Sequence, residues 1–455
     1  MPIQSLHTGY TGLVAGQIGI DTTSNNIANA NTEGYTRQRV DQRQAMSRDI
    51  IVGRLGTGTT VDDITRARDA FLDDRARAAM AQSESFAVNA EMLSRAESLL
   101  AEPDFGITTA MDDLWAGFED LALDPSDTGR RTAVLNQLEV LTGRFNAVAE
   151  GMSKLVDDAG ARIMTQLTDA NQALAEIADL NKGILRAGAT GSSPNDLIDR
   201  RDLLLDDVVA QLGARVTQQE DGSVRVSLNG LSLVDGSTAQ PLSWDVATNQ
   251  LLHQSGHAMQ AAGEIGGLQM FVTDDVPTIM SQLDQLAIDL HDALNTRHQA
   301  GFVDSGVSGG ALLSYSPGTP AETLQVVLPD VTQFAVSGVD GTPFPIHDGD
   351  NAQSLSRLRD DLFGGGGTAS LLDAARELVA EVGGRTAGSR AAAEAQADLL
   401  ASAELARGAA HGINLDEEMI ELIRYQRAYE AAARVVTAAD QALDTLINRT
   451  GIVGR

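Results

Sequence analysis

From Leu415 to Ile447 the chain repeats apolar positions in alternating four- and three-residue steps. They fall at Leu415, Met419, Leu422, Gln426, Tyr429, Ala433, Val436, Asp440, Leu443 and Ile447. Eight of these ten are apolar or aromatic, and a mean spacing of roughly 3.5 residues is that of a coiled-coil seam. Asn414 stands in the capping position, Glu417 follows as the partner of a capping box, and Asp416, Glu417 and Glu418 set negative charge at the positive end of the helix dipole. The pattern predicts one helix over 414–448, roughly 50 Å long at 1.5 Å per residue. The chain start carries the same steps at Ile3, Leu6, Tyr10, Leu13, Gln17, Ile20, Ser24 and Ile27, with Gly9, Gly12, Gly16 and Gly19 between them. Each glycine costs a helix about 1 kcal/mol relative to alanine, so this segment needs a partner. The two chain ends are predicted to pair, the glycines letting the backbones approach.

Between the ends the pattern is mostly helical. Helices are predicted over 66–101, closed by Pro103, and over 108–123. Ser126 is expected to cap a long one over 127–186. The long seam runs Val134, Leu138, Leu141, Phe145, Val148, Met152, Leu155, Ala159, Ile163, Leu167, Ala170, Leu174, Ile177, Asn181 and Ile184. Its three successive four-residue steps from Leu155 to Leu167 are a stutter that relaxes the supercoil. Such a helix is on the order of 85 Å long. Further helices are expected over 194–212, 276–299, 352–362 and 369–408, the last bent or broken at Gly383 and Gly384 and stopped by Gly412. Gly364–Gly367 reads as a hinge.

Strand character interrupts this in three places. Residues 39–65, including Ile50-Ile51-Val52, read as a linker with short strands. Val224–Leu228 and Leu231–Val234 alternate about Asn229-Gly230, the signature of a tight hairpin. A second hairpin is predicted around Trp244, Val246, Leu251 and Leu252. Residues 300–350 form an irregular excursion with strands at 324–328 and 334–336. The expected architecture is therefore mainly α, elongated and nested. A terminal coiled-coil domain takes 1–62 and 410–455, a bundle of long helices takes 63–212 and 272–409, and a small antiparallel β insert takes 213–271.

Composition narrows the function. With 63 acidic against 33 basic residues, the formal net charge is −30, a field that repels nucleic acid and anionic lipid. There is no cysteine, which excludes disulfides, thiolate metal sites and cysteine nucleophiles. No stretch approaches the 18 apolar residues of a membrane span. No basic region followed by an apolar core marks a cleaved secretory signal.

The residues after the first heptads carry a resemblance. Ser24-Asn25-Asn26-Ile27-Ala28-Asn29-Ala30-Asn31-Thr32-Glu33-Gly34-Tyr35-Thr36-Arg37-Gln38 should break the helix into a turn near 29–34. The string resembles the signature of bacterial flagellar axial proteins, the rod, hook and hook-associated subunits. Gly412–Met419, Leu422–Tyr429, Ala433-Arg434-Val435 and Asp444-Thr445-Leu446 are similar to the carboxyl end of the hook-associated family found at the hook–filament junction. The likeness is strong over about 1–60 and 400–455, moderate through the helical region and weak over 213–350. It implies a structural, non-enzymatic subunit that forms a ring between hook and filament. The implied partners are other copies of itself, the hook protein, the next hook-associated protein and a cytoplasmic export chaperone. It also implies type III export to the extracellular flagellum, with no cofactor. The residues it assigns to assembly are Asn25, Asn26, Ile27, Asn29, Asn31, Thr32, Gly34, Tyr35, Arg37 and Gln38, together with Ile3, Leu6, Tyr10, Leu13, Ile20, Leu415, Met419, Leu422, Tyr429, Val436, Leu443 and Ile447. A hook or distal-rod subunit would share these ends but have a mostly β middle.

Chemical motifs are few. Gly306-Val307-Ser308-Gly309-Gly310 matches the serine-hydrolase elbow without the strand and helix that motif needs, and a hydrolase would require a His and an acid in reach of Ser308. His253 and His257 have a metal-like spacing but no helix to present it. Gly364–Gly367 lacks the Lys-Ser/Thr of a phosphate loop, and Asp348, Asp350 and Asn351 lack the later Glu of a calcium loop. None is assigned a catalytic or metal role.

Overall fold

A computed structural model describes residues 2–50, 53–100, 106–190, 193–340, 348–363 and 369–449. Ile51, Val52, Pro103 and the Gly364–Gly367 stretch lie outside them, as does the side chain of Ile3. The chain opens with helix α1 (Pro2–Ala28), followed by strands β1 (Gln38–Gln44), β2 (Arg48–Ile50), β3 (Gly53–Leu55) and β4 (Thr59–Arg66). β1 pairs antiparallel with β4, and β2 with β3. Helices α2 (Ala70–Leu100), α3 (Ile107–Leu123), α4 (Thr128–Ala189) and α5 (Asn195–Leu212) come next. α2 starts later than the pattern predicts because the Asp69 carboxylate caps it, accepting from Phe71 N at 2.9 Å. Asp127, not Ser126, caps α4: its carboxylate accepts from Gly129 N at 2.7 Å, while the Ser126 hydroxyl donates to Asp124. Every position of the predicted α4 seam is buried except Leu155, which is half-buried.

Strands β5 (Arg215–Gln218), β6 (Val224–Leu228), β7 (Leu231–Asp235) and β8 (Thr238–Ala239) form one antiparallel sheet in that order. Asn229 (φ 48°) and Gly230 (φ 82°) make the left-handed hairpin turn their sequence predicts. β9 (Leu242–Asp245), β10 (Gln250–His253) and β11 (Ala258–Met259) make a second sheet. Helix then returns at α6 (Glu264–Met270), well before the expected 276, and passes through one π turn into α7 (Val276–Ala300). The Gly266-Gly267 pair hid this start. A Cβ on Gly267 would stand 2.2 Å from the Ser85 carbonyl oxygen of α2, so glycine is required by the close packing of two helices.

The excursion after α7 contains β12 (Leu313–Ser314), α8 (Pro320–Thr323) and β13 (Gln325–Val326). Phe334–Val336, predicted as a strand, is not one. It is a buried extended segment whose backbone is satisfied by side chains: Ala335 N donates to His298 Nε2 at 2.9 Å, and Asn351 Nδ2 donates to Ala335 O at 2.6 Å. Asn295 serves Leu312 and Leu313 in the same way, and Asn146 serves Ala321 and Leu324. Side-chain amides replace a sheet ladder here. The chain closes with α9 (Asp350–Ser356), β14 (Leu362–Phe363), β15 (Ala369–Ser370), α10 (Leu371–His411) and α11 (Leu415–Asp444). Gly383 and Gly384 do not break α10; the buried Leu378 and Val382 beside them keep that segment packed.

Two compact units divide these elements. One comprises 1–81, 169–242 and 397–455, and the other 82–168 and 243–396. The first holds both chain ends and the β5–β8 sheet. That sheet is fixed to α4 by Asn181, whose amide donates to Val224 O and Gly236 O and accepts from Val224 N and Arg201. The second is cored by α3, α7 and the middle of α4, with Trp115, Phe118, Phe145, Phe271 and Phe334 fully buried. Helices hold 67% of the described residues, so the class is mainly α with small antiparallel sheets.

Candidate assembly site at the paired chain ends

α1 and α11 pack antiparallel, and the contact is made by the glycines. A Cβ on Gly9 would stand 2.8 Å from Val436, one on Gly12 3.2 Å from Ala432, one on Gly16 3.1 Å from Tyr429 and one on Gly19 2.3 Å from a Tyr425 ring carbon. The stripe of α11 facing α1 is thus Glu418, Tyr425, Ala432 and Ala439 with their neighbours. Tyr429 and Val436 of the α11 seam share in this contact, against Gly16 and Gly9, and the other seam positions flank it. Leu6, Leu13, Ile20, Leu422, Val436 and Leu443 are half-buried, while Tyr10 (60% exposed), Leu415 (50%), Met419 (53%) and Ile447 (73%) stand largely in solvent. Among the described apolar side chains of the two helices, Ala15 and Ala439 alone are fully buried.

The Asn-rich motif becomes the far end of this contact. α1 stops after Ala28, and Gly34 turns the chain at φ 75° with its face against Leu203, where a Cβ would clash. The returning chain brings Tyr35, Arg37 and Gln38 back onto Asn26. The Asn26 amide nitrogen donates to Gln38 O and to Glu418 Oε2, both at 2.9 Å; its oxygen accepts from Tyr35 Oη at 2.9 Å and Gln38 N at 3.0 Å. Arg37 Nε completes Glu418 at 2.7 Å, and its Nη1 lies 3.4 Å from Glu417. Glu417 therefore faces Arg37, whereas the sequence suggested a capping box. Asn414 caps α11 as expected, accepting from Asp416 N at 3.0 Å. Burial, with Asp199 and Glu418 nearby, pushes the Tyr35 phenol up to about 12. Asn25, Asn29 and Thr32 form a local hydrogen-bonded chain. Ile27 is half-buried and Asn31 is exposed.

Behind the motif lies a charged cluster that sequence reading missed. Arg66 reaches Asp199 at 2.8 Å and Asp202 at 2.6 Å, Arg68 pairs with Asp73 and Asp202, and Arg77 with Asp206. Arg407 near the end of α10 joins Asp73 and Asp206. Beside these, Arg201 is fully buried, and burial with Arg66, Arg77 and Arg68 nearby lowers its pKa to about 10. These residues lie on separate segments with no shared periodicity, so nothing in the sequence connects them. The Glu418–Tyr425–Ala432–Ala439 stripe did carry a signal, a seven-residue spacing in phase with the glycines of α1.

The chemical motifs resolve locally. His298, adjoining Gly309 of the Gly-rich loop, donates from Nδ1 to Gly310 O at 2.7 Å and accepts at Nε2 from Ala335 N, so both ring nitrogens are engaged and neither serves Ser308. His253 and His257 share the Ser255 hydroxyl at 2.7 and 2.9 Å. Asp348 organises a loop: despite partial burial, hydrogen bonds from Ser337 and from the backbone N–H groups of Asp350 and Gly338 hold its carboxyl below the usual range. No group of three or more metal-binding side chains occurs among the described residues, and no helix there is long and apolar enough to cross a membrane.

Three family models match the chain, and all three are of flagellar axial proteins. "Flagellar hook-associated protein FlgK helical domain" covers residues 93–313, "Flagella basal body rod protein" covers 6–36, and "Flagellar basal body rod FlgEFG protein C-terminal" covers 410–449. The flagellar hook-associated protein 1 of Bacillus subtilis is 27% identical over 500 residues, spanning 99% of both chains. That of Escherichia coli K12 is also 27% identical, over 97% of this chain and 99% of its own. The solved flagellar hook junction protein FlgK of Burkholderia pseudomallei shares the fold, with a TM-score of 0.66 at 16% identity over 73% of this chain and 99% of that one. The chain belongs to the flagellar hook-associated protein 1 family and is a structural component of the bacterial flagellum.

Proposed function

We propose that the chain forms the junction between hook and filament as a ring of identical subunits joined through the paired ends, 1–62 and 410–455. The observation that carries this reading is the surface of the terminal pair. Among the described residues the two helices fully bury only Ala15 and Ala439 of their apolar side chains, yet present Tyr10, Val14, Leu415, Met419, Ile420 and Ile423 to solvent. A surface of this kind on an otherwise acidic protein is an interface awaiting its partners, and identical subunits in a tube supply them. The ring's neighbours are then the hook protein on one side and the next hook-associated protein on the other. A cytoplasmic chaperone covering the same apolar helices before type III export fits this surface as well. In this role the chain is non-catalytic and needs no cofactor, and the middle of the chain is a spacer.

Deletion of the coding sequence followed by electron microscopy tests the reading. Hooks without filaments, with filament protein released to the medium, are expected. Complete filaments on hooks lacking this chain would refute it.

A further inference from the structure

We infer that the Asn26–Tyr35–Arg37–Glu418 cluster sets the register in which α11 pairs with α1. The glycine stripe cannot do this alone. Gly9, Gly12, Gly16 and Gly19 repeat in heptad phase, and so do the positions they meet, Val436, Ala432, Tyr429 and Tyr425. Sliding α11 by seven residues keeps the faces in phase, opposing Gly12 to Ala439 in one direction and Ser5 to Ala432 in the other. The second slip carries Tyr425 and Tyr429 from Gly19 and Gly16 onto Gly12 and Gly9, so the glycine contact admits it at little steric cost, whereas the first sets both rings against Asn26 and Thr23.

The cluster is not periodic. Glu418 is 2% exposed and is satisfied by Asn26 Nδ2 and Arg37 Nε, which the turn at Gly34 places together. Asn26 in turn has both donors and its acceptor occupied. A slip in either direction leaves the Asn26 amide and the Glu418 carboxylate without each other, and a buried charge without its partner is costly. A single buried polar position fixes alignment in a coiled coil on the same principle. Specificity here resides in one end of the helix pair, and adhesion in the remainder.

The chain contains no cysteine, so introduced pairs report the register directly. A Cβ at position 12 lies 3.2 Å from Ala432 Cβ, close enough for a disulfide once the helices part slightly. Gly12→Cys/Ala432→Cys reports the native alignment; Gly12→Cys/Ala439→Cys and Ser5→Cys/Ala432→Cys report slips of one heptad either way. The soluble full-length chains are oxidised mildly and the ratio of native to slipped links is read, independent of how often the pair opens. The inference deepens the assembly reading but does not depend on it, since no flagellum is involved. In the parent, native links should exceed slipped ones at least tenfold; with Asn26→Leu/Glu418→Leu that ratio should fall at least tenfold. An unchanged ratio overturns the inference, and so does loss of native and slipped links together, which would make the cluster an adhesive. If the leucine chain fails to fold, Arg37→Gln/Glu418→Gln should shift the ratio in the same direction, and an unchanged ratio there overturns it equally.

Discussion

Replacing Gly12, Gly16 and Gly19 together by alanine separates two accounts of these glycines, because the accounts predict opposite signs. If they are merely poor helix formers, each substitution favours α1 by about 1 kcal/mol. Three would add roughly 3 kcal/mol, slowing amide exchange in α1 on the order of 100-fold. If they are contact residues, the new methyl groups enter at 3.2 Å from Ala432, 3.1 Å from Tyr429 and 2.3 Å from the Tyr425 ring. Position 16 is the least forgiving, since Tyr429 Cα and N lie 3.2 and 3.3 Å away and backbone cannot turn aside. The helices must then separate along their length, and α11 loses the partner against which it packs. Exchange in α1 and α11 is therefore expected to be unchanged or faster than in the parent. Gly143→Ala is the control: it sits on an exposed face of α4 with nothing within 4 Å of a new Cβ, and should raise the melting temperature, gaining roughly 0.5–1 kcal/mol. Hydrogen exchange with mass spectrometry on the soluble chain reads all of this. A triple variant whose α1 exchanges 100-fold more slowly would refute the contact account.

Three further outcomes follow from the geometry. Met419→Glu and Ile420→Glu should leave melting of the soluble chain within about 0.5 kcal/mol, as exposed substitutions do, while abolishing motility and junction formation; normal filaments on the variant would count against the exposed face as the interface. Gly267→Ala should destabilise its unit by roughly 1–3 kcal/mol by driving a methyl into the Ser85 carbonyl, seen as a lowered urea midpoint, and an unchanged midpoint would show that the α2–α6 contact yields. His298 is buried as a neutral donor–acceptor, and burial holds its pKa below the ordinary 6.5. The unfolded chain therefore takes up the proton first, so stability should be full above pH 6.5 and fall as pH drops below it. His298→Gln, which can keep a donor and an acceptor in place, should flatten that slope, whereas an unaltered slope would assign the pH dependence to other groups.

The sequence by itself determined the long elements and the relationship between the ends. A seam sustained over many turns leaves a helix little alternative, and each seam position of α4 apart from Leu155 is buried in the fold. Asn229-Gly230 settled its hairpin because few residues tolerate two consecutive positive φ angles. The glycines of α1, being costly in isolation, already announced a close partner. What only the tertiary structure decided was which faces meet. The apolar seams looked like the contact between the ends, but glycine admits a backbone where leucine cannot, so the glycine stripe of α1 pairs inward, with Tyr429 and Val436 of the α11 seam among its contacts, and the remaining seam positions are left at its margins and beyond. Periodicity also could not reveal interactions built from single polar side chains on distant segments. The amides of Asn295 and Asn351 replace strand ladders in the excursion, and the arginine–aspartate cluster joins three separate stretches of chain, 66–77, 199–206 and the end of α10. Glu418 read in sequence as charge at a helix start. Its burial against Asn26 and Arg37 exists only once the chain has turned back at Gly34 and brought both ends together.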